Sequence, residues 1–178
     1  MASQSGLVDM RSRQAQFEAL VHAYSADVYR FCLWLCRERS TAEDLVQESF
    51  LRAWRALDTL RADTSAKAWL LTIARNEYAR LCQQRRPESA SDDRALLEAI
   101  PDSGGPSAET LAVREAIQRL PDEYREPLLL QVIGGFSAEE IGGMIGSSAG
   151  AVATRLFRAR QKLRAELGSD WARQTSAG

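Results

Sequence analysis

Apolar side chains recur at intervals of three and four residues along almost the whole chain, which is the spacing of an amphipathic α-helix. No segment shows the strict apolar–polar alternation that is typical of a half-buried strand. Near the N-terminus this spacing is followed by Phe17, Leu20, Val21, Tyr24, Val28, Phe31, Cys32 and Leu35. The pattern therefore predicts an all-α fold that begins with one long helix.

Two further helices follow. The first covers residues 41–57, with Ser40 or Thr41 as its N-cap and acidic residues in its first turn, where they suit the positive end of the helix dipole. After a loop at residues 58–67, the second helix covers residues 68–86. Both carry an apolar face, so we expect them to pack against the long first helix.

The composition changes between two helical parts of the chain. Residues 87–107 are rich in Pro, Gly, Ser and acidic residues, which is typical of a flexible linker. From Pro87 to Leu111 there are six acidic residues and only one arginine, a net charge of −5. We therefore predict two small helical domains, at residues 10–86 and 108–173, joined by a flexible acidic linker.

Two prolines and two glycines bound a helix in the second domain. Pro121 suits the first turn of a helix, because its missing N–H is not needed there. Pro127 lacks an N–H and clashes with the preceding turn, so it predicts either a kink or a longer helix that begins near it. Gly134 and Gly135 then end the helix.

The next two helices predict a helix-turn-helix. Ser137 and Glu140 form an S-x-x-E capping box, which marks the start of a short helix. The GSS segment at residues 146–148 predicts a tight turn, after which a new helix begins near Ala149. Two helices joined by a short glycine-containing turn are typical of this DNA-binding motif, and a plain helical hairpin is the alternative.

The last helix carries two stripes. Its apolar stripe is formed by Val152, Leu156, Ala159, Leu163 and Leu167, and a second stripe is formed by Ala151, Arg155, Arg158 and Lys162. A recognition helix contacts bases mainly through its N-terminal residues, and later cations hold phosphates. The small residues at its start allow close approach to DNA, so we interpret it as a recognition helix rather than a surface helix with a solvated basic face.

Charge is unevenly distributed although the formal net charge is only −1. Residues 72–86 have a net charge of +3 and residues 150–178 a net charge of +4. A free-standing DNA-binding protein is usually plainly basic, so the overall field will not draw this chain strongly onto DNA. A mixed stripe on the second helix suits a contact with a basic protein surface, or else is a solvated face; it comprises Asp44, Gln47, Glu48 and Leu51.

Several classes of function find no support. Three cysteines and one histidine give no disulfide framework and no metal cluster, so Cys32 and Cys36 are predicted to pack in the core. Neither a glycine-rich phosphate loop nor a nucleophile with a histidine partner is present, so we expect no enzyme activity and no cofactor or metal. The chain lacks an apolar signal core and a run of about 20 apolar residues, so we expect a cytoplasmic protein without membrane insertion.

Three segments, taken in order, resemble the extracytoplasmic-function sigma factors, the compact two-domain class of bacterial RNA polymerase sigma subunits. They are AEDLVQESFLRAW, AWLLTIARNEYARL and the long segment from LPDEYREP to RARQKLR, and the similarity runs from about Phe17 to Leu167. The resemblance implies sigma region two, an acidic linker and sigma region four. It also implies that the chain directs core polymerase to specific promoters and initiates transcription under control of an anti-sigma factor.

The resemblance assigns roles to three sets of residues. Docking on core polymerase, through the β′ clamp helices and with further contact to the β subunit, is implied for Asp44, Gln47, Glu48 and Leu51. Recognition and melting of the minus-ten element is implied for Arg61, Asp63, Thr64, Ser65, Lys67, Trp69, Arg75, Asn76 and Arg80. Reading of the minus-thirty-five element is implied for Ser148, Ala149, Gly150, Ala151, Thr154, Arg155, Arg158 and Lys162.

The sequence departs from the common family pattern at a few of these positions. Ala66 stands where family members commonly have Phe, and Ala149 and Ala153 stand where the reader helix commonly has Glu and Lys. We therefore expect this helix to depend on DNA shape and backbone contacts more than most do. Trp69 offers a stacking face for a base, but its helical spacing favours core packing.

Two other functions remain as alternatives. A stand-alone helix-turn-helix repressor or activator explains the second domain but not the first, and it needs a more basic chain or a dimer interface. A purely structural helical adaptor leaves the basic stripe of the last helix without a role.

Overall fold

The structure, a computed structural model, describes residues 2–62, 64–84 and 108–175. Within these residues all regular elements are helical, as predicted, and the linker predicted at residues 87–107 lies outside them. The helices are α1 (Ala2–Cys36), α2 (Arg39–Arg55), a single 3-10 turn (Leu57–Thr59), α3 (Ala66–Gln84), α4 (Ala108–Arg119), α5 (Asp122–Gly134), α6 (Ala138–Ile145) and α7 (Ala149–Thr175).

Helices α1, α2 and α3 pack around one apolar core and form the N-terminal domain. The predicted spacing in α1 is confirmed, because Val28, Phe31, Cys32 and Leu35 are all buried. Nearer the N-terminus of α1, Phe17 makes edge-to-face contacts with Phe50 and Trp54 of α2, at centroid distances of 6.2 and 5.2 Å. These aromatic pairs hold α1 against the end of α2.

The start of α2 differs from the prediction of a Ser40 or Thr41 cap. The helix begins at Arg39, and Glu38 occupies the N-cap position with an extended backbone. Ser40 and Thr41 lie in the first turn, where their hydroxyls donate hydrogen bonds to the Glu38 carboxylate. A capping hydroxyl normally accepts a hydrogen bond from a backbone N–H of the first turn. Here the two hydroxyls instead donate to a carboxylate that lies just before the helix. The first turn contains no acidic residue, so the prediction of acids there is also wrong.

Helices α4 to α7 form the C-terminal domain. Pro121 is the N-cap of α5 rather than a member of its first turn, and the helix begins at Asp122, well before Pro127. Pro127 therefore lies inside α5, and its ring is buried in the core. The helix ends at Gly134 as predicted, because Gly135 takes the left-handed conformation with φ of 75°.

The two domains are in contact, and the contact is centred on Arg125 of α5. Its side chain is 1% exposed, and it donates hydrogen bonds to the carbonyl oxygens of Leu120 (3.0 Å), Gln118 (3.3 Å) and Leu35 (3.3 Å). It also pairs with the Asp122 carboxylate. Leu35 stands near the C-terminus of α1, where carbonyls lack intrahelical partners. A buried cation of the C-terminal domain thus completes the last turn of α1.

The cysteines occupy three different environments. Cys32 is fully buried in α1, as predicted, and burial raises the pKa of its thiol to about 12. Cys36 is half-buried and donates to the Glu38 carbonyl at 3.2 Å, and Cys82 is exposed on α3. Among the described residues, no group of three or more His, Cys, Asp or Glu side chains could hold a metal ion. None of the described helices is both long enough and apolar enough to span a membrane.

Replacing Arg125 with Met tests its role in the packing. The carbonyl groups of buried Leu35 and Leu120 and of half-buried Gln118 lose their donor. An unmet buried polar group costs about 1–3 kcal/mol, so we expect the free energy of unfolding to fall by about 3 kcal/mol. Urea denaturation followed by circular dichroism measures this. As a control, Arg119→Met removes an exposed arginine and should change stability by no more than about 0.5 kcal/mol. Equal effects of the two substitutions would contradict the assignment.

Thiol accessibility tests the cysteine environments. Because the thiolate is the reactive form and the pKa of Cys32 is raised, its thiol stays protonated at pH 8 and is also shielded. A variant with Cys36→Ser and Cys82→Ser should therefore react with an aromatic disulfide reagent only after urea unfolds it. The matched variant with Cys32→Ala and Cys36→Ser, which keeps Cys82, should react on mixing. Rapid reaction of both variants contradicts the expectation.

Candidate polymerase and promoter interfaces

The mixed stripe predicted on α2 lies on the surface. Asp44, Gln47, Glu48 and Leu51 are all exposed, and Leu51 keeps 48% of its surface accessible. Leu45 and Ala53 on the opposite side are buried, so the helix presents one polar and one apolar face as the spacing predicted. An exposed leucine among acids and an amide can contribute apolar contact area to a protein partner.

A buried carboxylate on α3, that of Glu77, lies beside this stripe and pairs with two arginines. Glu77 is 8% exposed and pairs with Arg52 of α2 and with Arg80, the latter at 3.1 Å. A cavity of about 290 Å³ adjoins the three side chains and is also lined by Asp44 and Glu48. Arg80, which the resemblance assigned to the minus-ten element, is therefore paired with an acid of its own helix.

Sequence reasoning missed Glu77, although the sequence held a signal for it. Glu77 continues the spacing of Leu70 and Ala74 toward Leu81, so it lies on the buried face of α3. Charged residues are rarely buried without a partner. A glutamate on an apolar face therefore predicts an arginine nearby, without predicting which one.

The residues proposed for the minus-ten element fall into different environments. Arg61, Thr64, Ser65 and Asn76 are exposed, and Asp63 lies outside the described residues. The Ser65 hydroxyl accepts a hydrogen bond from the Ala68 N–H at 3.3 Å, so it also caps the first turn of α3. Trp69 is half-buried and packs against the core, as its helical spacing favoured.

Two cations of the same set contact the C-terminal domain. The Lys67 ammonium lies 2.8 Å from a carboxylate oxygen of Asp27 and donates to the Ile133 carbonyl, also at 2.8 Å. Arg75 pairs with Glu126 of α5. In this arrangement both side chains are occupied by contacts within the chain.

The helix-turn-helix forms as the sequence predicted. The capping box is complete: the Glu140 N–H donates to the Ser137 hydroxyl at 3.2 Å, and the Ser137 N–H donates to the Glu140 carboxylate at 2.8 Å. Helix α6 ends at Gly146, which has φ of 68°, and α7 begins at Ala149. The backbone of the turn is held by a 2.9 Å bond from the Ser147 N–H to the Gly142 carbonyl.

Both predicted stripes of α7 are present. Val152, Leu156 and Ala159 are buried, whereas Leu163 and Leu167 are half-buried. The residues proposed for the minus-thirty-five element are exposed at Ser148, Ala149, Gly150, Thr154, Arg158 and Lys162, and half-buried at Ala151 and Arg155. The helix therefore presents a bare N-terminal end, followed by cations on the same open side.

Two side chains at the start of α7 have local hydrogen bonds. The Ser148 hydroxyl accepts from the Ala151 N–H at 3.2 Å, and the Thr154 hydroxyl donates to the Gly150 carbonyl at 2.9 Å. Further along, Arg160 is tied to Gln131 of α5, and the Lys162 ammonium stands 5.8 Å from the centre of the Tyr124 ring. Cations on α7 thus divide between contacts with α5 and the open surface.

The chain matches two family models that together cover most of its length. The model for sigma-70 region 2 matches residues 20–88, and the model for sigma-70 region 4 matches residues 110–163. Among relatives, the chain is 35% identical to the RNA polymerase sigma factor EcfG of Rhodopseudomonas palustris, an extracytoplasmic-function sigma factor, over 144 residues, which covers 80% of each chain. The chain belongs to the extracytoplasmic-function sigma factors.

Further sigma factors support this membership. The chain is 36% identical over 135 residues to the sigma-E factor of Salmonella typhimurium, covering 67% of this chain and 70% of that relative. A solved structure of the sigma factor RpoE with the anti-sigma factor NepR, from Bartonella quintana, is similar with a TM-score of 0.72 and 28% identity. The match covers 87% of this chain and 98% of that one.

Membership in the extracytoplasmic-function sigma factors settles the class of function. The protein is a transcription initiation factor that directs core RNA polymerase to specific promoters, and it is not an enzyme. The match to region 2 runs from within α1 through α3, and the match to region 4 runs from α4 into α7.

Two adjacent glycines of α6 offer a matched test of how the turn is built. A Cβ placed on Gly142 would lie 2.6 Å from the backbone oxygen of Ser147, whereas one on Gly143 meets nothing within 4 Å. We expect Gly142→Ala to lower the free energy of unfolding by about 1–3 kcal/mol, because the turn must shift. Gly143→Ala should raise it by about 0.5–1 kcal/mol.

Thermal unfolding and promoter binding of the two glycine variants provide the measurements. Since the displaced turn sets the position of α7, Gly142→Ala should also weaken binding of holoenzyme to the minus-thirty-five element. Gly143→Ala should leave that binding unchanged. If both substitutions act alike, the close approach at Gly142 does not determine the turn.

Proposed function

We propose that the two domains of this sigma factor divide the work of initiation as the family resemblance implies. The stripe of α2 docks on the clamp helices of the polymerase β′ subunit, through Asp44, Gln47, Glu48 and Leu51. The loop before α3 and the exposed face of α3 hold the minus-ten strand. Helix α7 contacts the minus-thirty-five element. The protein acts in the cytoplasm, where core polymerase is found.

The observation that carries the proposal is the open side of α7. A bare helix N-terminus followed by exposed Arg158 and Lys162 suits a helix that lies against a duplex. Arg155 is half-buried, and an arginine can pack its aliphatic stem on a domain while its guanidinium binds a phosphate. Because Thr154 uses its hydroxyl proton on its own helix, few donors remain for bases. This supports reading through shape and backbone.

Binding to a promoter requires the two domains to separate. The minus-ten and minus-thirty-five elements are about 25 base pairs apart, which is roughly 85 Å of duplex. In the structure the two domains are in direct contact, which we call the closed arrangement. There Lys67 of the N-terminal domain donates a hydrogen bond to the Ile133 carbonyl of the C-terminal domain at 2.8 Å. Opening also releases Lys67 and Arg75 from Asp27, Ile133 and Glu126, and so makes both cations available for the single strand.

We also propose control by an anti-sigma factor. The solved complex of RpoE with NepR concerns a sigma factor of similar structure. A partner that favours the closed arrangement keeps Lys67 and Arg75 in their contacts within the chain. Such a partner prevents initiation without having to cover every surface that binds polymerase or DNA. The closed packing around Arg125 supports this form of control.

Transcription with purified core polymerase tests the proposal. We expect the full chain to bind core and to initiate at a cognate promoter selected from genomic fragments. Asp44→Ala combined with Gln47→Ala should weaken core binding by about tenfold, on the order of 1–2 kcal/mol, since two exposed contacts are lost. Helicity and melting temperature should not change, because both side chains are exposed.

The control is Glu18→Ala, which removes an exposed acid of α1 outside the stripe. It should leave core affinity unchanged. If the double variant binds core polymerase as tightly as the wild type, the α2 stripe is not the docking surface. If the wild-type chain neither binds core nor starts transcription but binds duplex DNA tightly alone, the protein is a stand-alone DNA-binding regulator instead.

A further inference from the structure

The N-terminal part of α1 reaches the turn that leads into the minus-ten loop, by which we mean residues 60–65 before α3. Helix α1 begins at Ala2, whereas the match to sigma-70 region 2 begins only at residue 20. Within this preceding part, Arg13 contacts the end of α2 and the 3-10 turn that follows it. None of the residue sets proposed for polymerase or promoter binding contains Arg13.

The Arg13 guanidinium makes three contacts at once. Its Nη2 donates to the Trp54 carbonyl at 2.8 Å, its Nη1 lies 3.2 Å from a carboxylate oxygen of Asp58, and the group stands 5.1 Å from the centre of the Trp54 ring. Trp54 belongs to the last turn of α2, where carbonyls lack partners within the helix and the helix dipole favours a cation. Arg13 therefore joins the end of α2 to the turn after it.

The 3-10 turn is attached on an inner and an outer side. Leu57 is 2% exposed and fixes the turn to the core. The Thr59 hydroxyl donates to the Ala56 carbonyl at 2.7 Å, which is a contact within the turn itself. Asp58 is exposed, and its ion pair with Arg13 ties the outer side of the turn to α1. The direction in which the chain leaves the turn is thus set from both sides.

The minus-ten loop begins directly after this turn. The Leu60 N–H donates to the Leu57 carbonyl at 3.0 Å, and at the far end the Ser65 hydroxyl accepts from the first turn of α3. Because the end at α3 is fixed, a shift of the turn changes the conformation of the loop between them. Side chains that bind a partner must be held to within about 0.5 Å of the productive geometry, so such a shift matters for recognition.

We propose that Arg13 is a positioning residue for recognition of the minus-ten element. It holds the 3-10 turn against α1 and so fixes the conformation in which the loop meets unstacked bases, without touching the DNA itself. Its contribution to the stability of the domain is small, because an ion pair with an exposed carboxylate stabilises little. This role in recognition rests on the proposed function of the loop, whereas the contact with the turn does not.

Hydrogen exchange followed by mass spectrometry tests the effect on the turn in the free protein. Arg13→Ala should raise the exchange of amides in residues 56–64 by about fivefold, because the turn loses its outer attachment. Asp58→Ala should raise the exchange of the same amides. Exchange in α5 should stay unchanged, and the melting temperature should fall by no more than about 3 °C in either variant.

Arg11→Ala is the matched control. Arg11 is exposed, and its spacing of two residues from Arg13 places it on the opposite side of α1. Its replacement should alter neither the exchange of residues 56–64 nor the melting temperature.

Base discrimination by the holoenzyme tests the effect on recognition. The probes are two fluorescent single strands: the minus-ten element of a promoter used in the transcription assay, and the same strand with one base of the element changed. Holoenzyme with Arg13→Ala should bind the native strand about fivefold more weakly and the changed strand as the wild type does, so the ratio of the two affinities falls. Affinity for core polymerase and for a duplex minus-thirty-five element should not change.

Asp58→Ala distinguishes positioning from direct contact with DNA. It removes the partner of Arg13 and leaves the cation in place, so it should lower the same affinity ratio. If Arg13 itself held the strand, this variant would keep the full ratio.

Three outcomes overturn the proposal. They are unchanged exchange of residues 56–64 in Arg13→Ala, an unchanged affinity ratio in that variant, and a full ratio in Asp58→Ala. A wild-type holoenzyme that binds neither strand refutes the proposed function of the loop and the recognition step that rests on it. The exchange measurement uses neither DNA nor polymerase, so it decides separately whether Arg13 holds the turn.

Discussion

The arrangement of the two domains depends on one buried guanidinium. Arg125 donates to carbonyl oxygens of the α4–α5 connection and to Leu35 at the end of α1, so a single side chain completes the ends of elements from both domains. A charge with 1% exposure is tolerated only when it is paired and hydrogen-bonded. The position of α5 against α1 is therefore fixed by polar geometry in addition to apolar packing, and the contacts of Lys67 and Arg75 follow from that position.

The same cations have two possible sets of partners. Lys67 and Arg75 contact Asp27, Ile133 and Glu126 within the chain. In the proposed function, the single strand of a melted promoter offers phosphates to the same side chains. Intramolecular and DNA contacts therefore compete, and the balance depends on what holds the domains together or apart. This competition is consistent with the small net charge of −1, which gives the free chain little general attraction to DNA.

Local features of the fold were predictable from the sequence, and long-range polar partners were not. Helical spacing identified the buried faces of α1, α2 and α7, and the S-x-x-E pattern located α6, because these signals depend on neighbours along the chain. Glu38 as the cap of α2, Glu77 between two arginines and the burial of Arg125 were all missed. Composition rules place arginine and glutamate on the surface, and only the packing of distant helices decides which of them is enclosed.

The turn between α6 and α7 is held by backbone atoms and by the absence of side chains. Gly142 allows the Ser147 carbonyl to approach, Gly146 reverses the chain, and neither has a side chain. The exposed side chains at the start of α7 are therefore not needed to hold the helix in position. If α7 reads the promoter as proposed, promoter preference can change there by single substitutions, such as at Ala149 or Ala153, without loss of the fold. A lineage of such proteins can thus acquire new target promoters through few mutational steps.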